Sequence, residues 1–153
     1  MLAQVQTTPS ASYADFGALD DFVRDLGDVA DTHALVIGER TLELVCLLIR
    51  RGCAAAGTLR WHEKAEPGTA DLVVVSLQSR LQSMDGVARQ ARRALLPGGR
   101  IVLRVLDKRP KAAVGVIAGT LRQHGFGPAR LTATADGMRI EAELPRLGVV
   151  AHG

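Results

Sequence analysis

Four residues of this chain stand where a sequence could do chemistry. Gly38, Glu39 and Arg40 follow the apolar run Ala34–Ile37, and Ser76 follows the apolar run Leu72–Val75. Short apolar runs of this kind read as buried parallel strands. Open α/β sheets bind ligands just outside the carboxyl ends of such strands. A glycine there lets the backbone approach a ligand closely, or simply lets the strand turn into the next element. Glu39 and Arg40 offer a polar ligand one charge of each sign, or pair with each other in solvent. Ser76, with Gln78 and Ser79 behind it, supplies hydroxyl and amide groups, or the ordinary polarity of a loop.

The other reactive side chains do not gather. His33, His62, His124 and His152 are dispersed, and none has a sequence partner that suggests a triad or a metal site. His124 falls near a predicted helix C-terminus, where the dipole alone gives it a structural reason. Cys46 and Cys53 lie seven apart on one predicted helix, a rise of about 10 Å, too far for a disulfide. Two buried thiols suit a reducing cytoplasm. Trp61, the single tryptophan, lies beside a loop and reads as a lid or an interface anchor.

The elements that must position these groups alternate. Residues 1–11 read as a loose tail, residues 12–145 as one domain and residues 146–153 as a second tail. Phe16, Leu19, Phe22, Val23 and Leu26 recur at helical spacing, with a capping-box pattern at Ser12 and Asp15. This helix should end near Gly27. Thr41–Arg51 reads as a second helix ended by Gly52 or Gly57, with Leu42 packed inward on an element apolar nearly all round. Ala54–Leu59 is a weakly signalled strand, and Pro67-Gly68 marks a loop. Met84–Leu96 reads as a helix stopped by Pro97-Gly98-Gly99. Ile101–Leu106 is a clear strand. A helix opened by Pro110 carries Val114, Ile117, Ala118 and Leu121 inward as far as Gly125. Leu131–Ala135 and Met138–Leu144 flank Asp136-Gly137, a type I′ hairpin signal. The strands at 34–37, 72–76 and 101–106 should form a parallel centre, with the hairpin at one edge.

Composition sets the limits. The 153 residues are 47% hydrophobic and only 3% aromatic, so the core is aliphatic and global disorder is excluded. Few rings also argue against sheets or grooves that stack nucleic-acid bases. The net charge of +3 and the pI near 9.3 come from scattered arginines and not from a basic run. They read as a solvated surface before a nucleic-acid footprint. Leu42–Ile49 and similar runs are too short to span a membrane. The N-terminus lacks the pattern of a signal peptide, and the expected location is the cytoplasm.

From Ala70 the chain reads ADLVVVSL and then, after a linker, ARQARRALLPGGRIVLRV, ending at Val105. This stretch resembles the second half of a class I S-adenosylmethionine (SAM)-dependent methyltransferase. In that family an Asp opens the fourth strand, and Pro-Gly-Gly leads into the fifth. The helix ending at Gly125-Phe126 and the hairpin after it match as well. The resemblance covers roughly residues 30 to 144 and is nearest to small-molecule methyltransferases of the ubiquinone and menaquinone type. It implies a three-layer, Rossmann-like α/β fold whose mostly parallel sheet ends in an antiparallel hairpin.

The family's first motif is a strand, Gly-x-Gly-x-Gly and a helix, so the resemblance implies cofactor contacts at Gly38, Glu39, Arg40 and Ser76. Here Arg40 and Leu42 stand at the second and third glycines. The ribose-binding acid expected after the second strand is replaced by Leu59-Arg60. Glu63 reaches that place only if the loop folds back. About ten residues precede Asp71, too few for the family's third strand and its helix. The sheet should therefore be shortened between the family's second and fourth strands. The expected function is a binding or scaffolding module that has lost SAM, takes no cofactor and self-associates or binds a protein partner. A small-molecule ligand at the carboxyl end of the sheet fits the same fold. The alternatives are a divergent, active small-molecule methyltransferase using SAM and a basic protein associated with nucleic acid.

Overall fold

The computed structural model describes residues 17–38, 40–60, 63–77, 84–106, 110–134 and 137–146. A helix α1 over residues 17–24 precedes β1 (His33–Gly38), α2 (Thr41–Arg50), β2 (Ala55–Leu59) and β3 (Ala70–Leu77). Then follow α3 (Met84–Ala94), β4 (Leu95–Val105), α4 (Pro110–Gln123), β5 (Arg130–Thr134) and β6 (Gly137–Glu143). The six strands form one sheet in the order β2-β1-β3-β4-β6-β5. β1 pairs in parallel with β2 and β3, and β3 with β4, while β6 runs antiparallel to both β4 and β5. The parallel centre and the edge hairpin are those the sequence predicts.

Alternation along the strands builds two cores. Val36, Val74 and Val102 face Leu19, Phe22 and Val23 of α1 and Leu44, Leu47 and Leu48 of α2. Ile37, Val73, Val75, Ile101 and Leu103 face Val87 and Ala91 of α3 and Ile117 and Leu121 of α4. Both faces of the sheet are covered, which gives the three layers. Each fully buried Leu, Ile or Val contributes on the order of 1.5–3 kcal/mol relative to exposure.

Local chemistry sets the ends of these elements. α2 closes in a Schellman arrangement. Gly52, at φ 96°, donates its N–H to Ile49 O, and Cys53 donates to Leu48 O. Cys53 is therefore buried past the helix end, and Cys46 is exposed, so the expectation of two buried thiols on one helix is corrected. Leu42 also departs from expectation: it is 70% exposed, because the buried stripe of α2 runs through Leu44, Leu47 and Leu48. A segment apolar on most sides still has one solvent face.

α3 stops at Ala94, not Leu96, and Leu95 already belongs to β4. Pro97-Gly98-Gly99 is an irregularity within β4, between its pairing at Leu95 and its pairing at Arg100. A Cβ on Gly99 would sit 3.0 Å from the Asp71 carbonyl oxygen, and Gly98 has φ 88°. The glycines serve close backbone approach, where helix termination is the sequence expectation. Gly137 likewise departs from its expected place in the turn, because it is already a strand residue paired with Thr134. Gly137 is needed for another reason: a Cβ there would lie 2.0 Å from the Val105 carbonyl oxygen.

Between β2 and β3 the described residues hold no helix or strand. The loop is instead fastened to α3. Gln90 Oε1 accepts from Ala65 N at 2.7 Å, and Arg93 Nε donates to Ala65 O at 2.6 Å. β2 is thereby left as a sheet edge, the shortening expected from the ten-residue gap. No helix among the described residues is long and apolar enough to cross a membrane. The N-terminal tail, the Ser12–Asp15 cap, Phe16, Trp61, His62, Gln78, Ser79, Asp136 and His152 lie outside the described residues, as does the C-terminal tail save Arg146.

Candidate functional site

The carboxyl end of the sheet gathers its polar residues in one register row. Gly38 of β1 pairs with Ser76 of β3, Ser76 with Arg104 of β4, Arg104 with Arg139 of β6, and Arg139 with Thr132 of β5. Neighbouring strands are about 4.8 Å apart, so the row extends roughly 19 Å. Two residues earlier in β1, β3 and β4 come Val36, Val74 and Val102, members of the core under α1 and α2. Side chains two apart on a strand share a face, so the row opens toward α1 and α2.

Of the four residues singled out from sequence, Gly38 and Ser76 are brought side by side, and Ser76 is 1% exposed. Glu39 lies outside the described residues. Arg40 stands at the N-cap of α2 in the left-handed backbone region, φ 58° and ψ 31°, and makes no side-chain cap. Gly38 just before it has φ 114°. Two residues of this loop therefore keep positive φ, although one of them is an arginine. Such a backbone costs a non-glycine residue about 1–2 kcal/mol. The Arg40 side chain turns along the first turn of α2, where Nε donates to Glu43 Oε2 at 2.5 Å. Glu43 also offsets the positive end of the α2 dipole.

The end of β2 carries an acid after all. Arg60 N donates to Glu63 Oε1 at 2.7 Å, and Glu63 N donates back to Arg60 O at 3.1 Å. These bonds set the Glu63 carboxylate against the backbone of Arg60, the first residue past β2.

The sheet holds the close of α1 through two arginines. Arg139 Nη1 donates to Asp25 O at 2.7 Å, and Arg100 Nη2 donates to Leu26 O at 2.7 Å. Both carbonyls lie at the close of α1, where acceptors lack helical partners. Arg100 Nη1 also donates to Glu141 Oε2 at 2.8 Å. A cleft of about 630 Å³ lies between α1, the carboxyl ends of β4 and β5 and the start of β6. Arg104, Arg139 and Thr132 line it from the sheet, and Phe22 and Asp21 line it from α1. Arg104 is only 5% exposed. Sequence reasoning passes over Arg104 and Arg139. The signal is present in Ile101–Leu106, a buried apolar strand interrupted by one arginine, since a buried charge is the informative exception.

The dispersed histidines stay apart from this row. His124 Nε2 lies 2.8 Å from Asp85 Oδ1, linking the end of α4 to the first turn of α3. That hydrogen bond holds the Asp85 carboxyl below its ordinary pKa, helped by the charge of Arg89. His33 N donates to Asp71 Oδ2 at 2.9 Å at the opposite end of the sheet. Among the described residues no group of three His, Cys, Asp or Glu side chains could hold a metal ion.

The layers, strand order and hairpin define the fold of the class I SAM-dependent methyltransferases. Solved structures similar to this chain bear that out. A SAM-dependent methyltransferase from Mesorhizobium loti matches at a TM-score of 0.63 and 12% identity, over 80% of this chain and 96% of that one. A ribosomal protein L11 methylase from Lactobacillus delbrueckii subsp. bulgaricus matches at 0.65 and 10%, over 86% and 80%. A protein from Nostoc punctiforme PCC 73102, assigned provisionally to the O-methyltransferases, matches at 0.65 and 10%. The match covers 83% of this chain and 56% of the Nostoc protein, so the chain spans little more than half its length. At these identities the likeness is one of fold. No protein-family model and no curated protein sequence matches the chain.

Proposed function

We propose that this chain is a methyltransferase-fold binding module that has lost SAM binding and acts without catalysis. The observation that carries this reading is Arg40. It occupies a glycine's backbone conformation in the loop after β1, where the family has glycine, and its side chain pairs with Glu43 on the first turn of α2. Leu42, 70% exposed on the next turn, adds an apolar side chain beside the same loop. Among the described residues no strand stands beyond β2, and with it goes the wall for the adenine. These residues fit SAM poorly, and we derive no methyl transfer through them.

Isothermal calorimetry with SAM and S-adenosylhomocysteine tests this. No binding is expected, and a micromolar affinity overturns the reading. The double variant Arg40→Gly/Leu42→Gly should stay equally silent, because it does not restore the missing wall. Rescue by that variant would place the whole deficit in the loop.

Glu63 favours a second reading, a divergent and active small-molecule methyltransferase. Its carboxylate lies at the end of β2, where a ribose diol would be held. Charge-assisted hydrogen bonds of that kind are the stronger ones. Calorimetry with SAM decides between the two readings. For the binding module, a second copy of the chain is the partner we infer. β2 is a sheet edge with sequence Ala-Ala-Gly-Thr-Leu, free of charge and proline, and such edges pair readily with another strand. Analytical ultracentrifugation should show a dimer, and a strict monomer removes this part.

A further inference from the structure

We propose that the outer face of α2 packs against α2 of a second copy of the chain, the two helices running antiparallel about a two-fold axis. This deepens the reading of β2 as the edge that meets a second copy, and rests on it, by adding the helix that the same axis brings into contact.

α2 is apolar on two opposite sides. Leu44, Leu47 and Leu48 form the buried stripe, in the core shared with α1 and the sheet. Leu42, Val45 and Ile49 recur at helical spacing on the other side. Leu42 and Ile49 are 70% and 48% exposed, and Val45 is partly buried. Only five large apolar side chains are exposed among the described residues, and two of them share this stripe. Glu43 and Arg50 stand seven residues apart on one flank of it, whereas Thr41 and Val45 on the other flank carry no charge. The right-handed sense of a β-α-β crossover turns that uncharged flank toward the β2 edge.

The sheet supplies the partner. α2 joins β1 to β2 and packs on both. β2 is the edge strand, and its Ala55, Gly57 and Thr58 are exposed. Antiparallel pairing with β2 of a second copy puts both α2 helices on the same side of one continuous sheet. Each helix stands over its own β1–β2 pair, so the helix axes are two strand spacings apart, roughly 10 Å. That is the ordinary separation of packed helices. Strand pairing therefore brings the α2 faces together. The register closes as well. α2 spans Thr41–Arg50, so its midpoint falls between Val45 and Cys46, with Leu42 and Ile49 equally far on either side. A two-fold axis at that midpoint sets Leu42 of each copy on Ile49 of the other, with the Val45 side chains between. Such self-complementarity is what a two-fold interface requires. The middle residue of β2 is Gly57, which has no side chain to hold the copies apart.

Sedimentation velocity over a concentration series reads the association of the full chain. Ile49→Lys puts a cation in the last turn of α2, where the dipole favours it, so the single copy keeps its fold. It should weaken association about 10- to 100-fold, as expected when two half-exposed isoleucines keep their water. Val116→Lys, at a similarly exposed site on α4, should leave association unchanged. Gly57→Lys tests the strand: a Cβ there meets nothing within 4 Å, so the fold accepts it, while a lysine guards the edge against pairing. If Ile49→Lys fails to fold, the parent chain decides. Cys46 is exposed beside the stripe and Cys53 is buried. A short bismaleimide should then join two copies through Cys46, and Cys46→Ser should abolish the product. A dimer that withstands Ile49→Lys, or that gives no product at Cys46, overturns the helix contact and leaves the β2 reading standing. Dissociation by Ile49→Lys with no effect of Gly57→Lys keeps the helix contact and removes the strand pairing. A strict monomer removes both.

Discussion

At the β1–α2 corner of this sheet the backbone is unusual and the Arg40 side chain turns along the helix. Gly38 and Arg40 both keep positive φ, yet Arg40 points its charge along α2 to Glu43. At the β4–β6 corner the reverse holds. The backbone is an ordinary antiparallel ladder, and the side chains Arg104 and Arg139 bring cations onto one face of it. The first corner combines an unusual backbone with an ion pair directed along α2. The second places cationic chemistry on a regular scaffold. A fold comparison sees backbones, so it reports the first corner faithfully and says nothing of the second. Function has to be argued from the side chains at each corner.

The largest expected effect breaks the second corner and spares the first. Gly137→Ala would place a Cβ 2.0 Å from the Val105 carbonyl oxygen, a backbone atom that cannot swing aside. The start of β6 must move, and Arg139 moves with it. A loss of about 2–3 kcal/mol is expected in urea unfolding, the range for forced overpacking. Amide exchange should rise at β5 and β6 and stay unchanged at β1 and α2. Uniform loss of protection would show that the corners are one cooperative unit.

Smaller effects of the opposite sign should come from the first corner. Arg40→Gly relieves a left-handed backbone worth about 1–2 kcal/mol, against the added freedom of the unfolded chain and one partly exposed ion pair. The expected balance in thermal melting is a gain of up to about 1 kcal/mol. Clear destabilisation would mean that the arginine holds the loop. Leu42→Asp should also be tolerated. The residue is 70% exposed on the first turn of α2, where a negative charge gains about 0.3–1 kcal/mol from the helix dipole. A loss of several kcal/mol would return Leu42 to the core.

The contrast also explains what the sequence can disclose. Strand positions are legible because apolar runs such as Leu72–Val75 and Ile101–Leu103 have no alternative to burial, and they need no tertiary information. The layers follow from alternation, and the missing strand follows from counting residues before Asp71. Leu42 escapes the sequence because an apolar run does not say which of its sides faces water. Pro97-Gly98-Gly99 and Gly137 pass for turn signals because the glycines answer to the Asp71 and Val105 carbonyls, which are distant in sequence. At the site, Gly38 and Ser76 are legible as strand ends. The row they share with Arg104, Arg139 and Thr132 is not, since it depends on the register of five strands.

The smallest expected effect lies away from both corners and serves as their control. Asp85 accepts from His124 and also pairs with Arg89, with Nη2 to Oδ2 at 2.7 Å. The His124 hydrogen bond is the largest cause lowering its pKa below 3.8, and the Arg89 charge acts in the same direction. A carboxyl whose folded pKa is depressed stabilises the fold fully above its unfolded pKa. That contribution fades as pH falls through the folded value. The window is therefore acidic, from about pH 4 downward. Asp85→Asn removes the titrating group and should flatten this part of the stability curve, with little change near neutrality beyond the loss of an exposed pair. Because Asp85 is exposed on α3, added salt should shrink the difference between parent and variant at every pH. A parent curve and a variant curve that stay parallel through the acid limb would show that the His124 contact does not persist in solution.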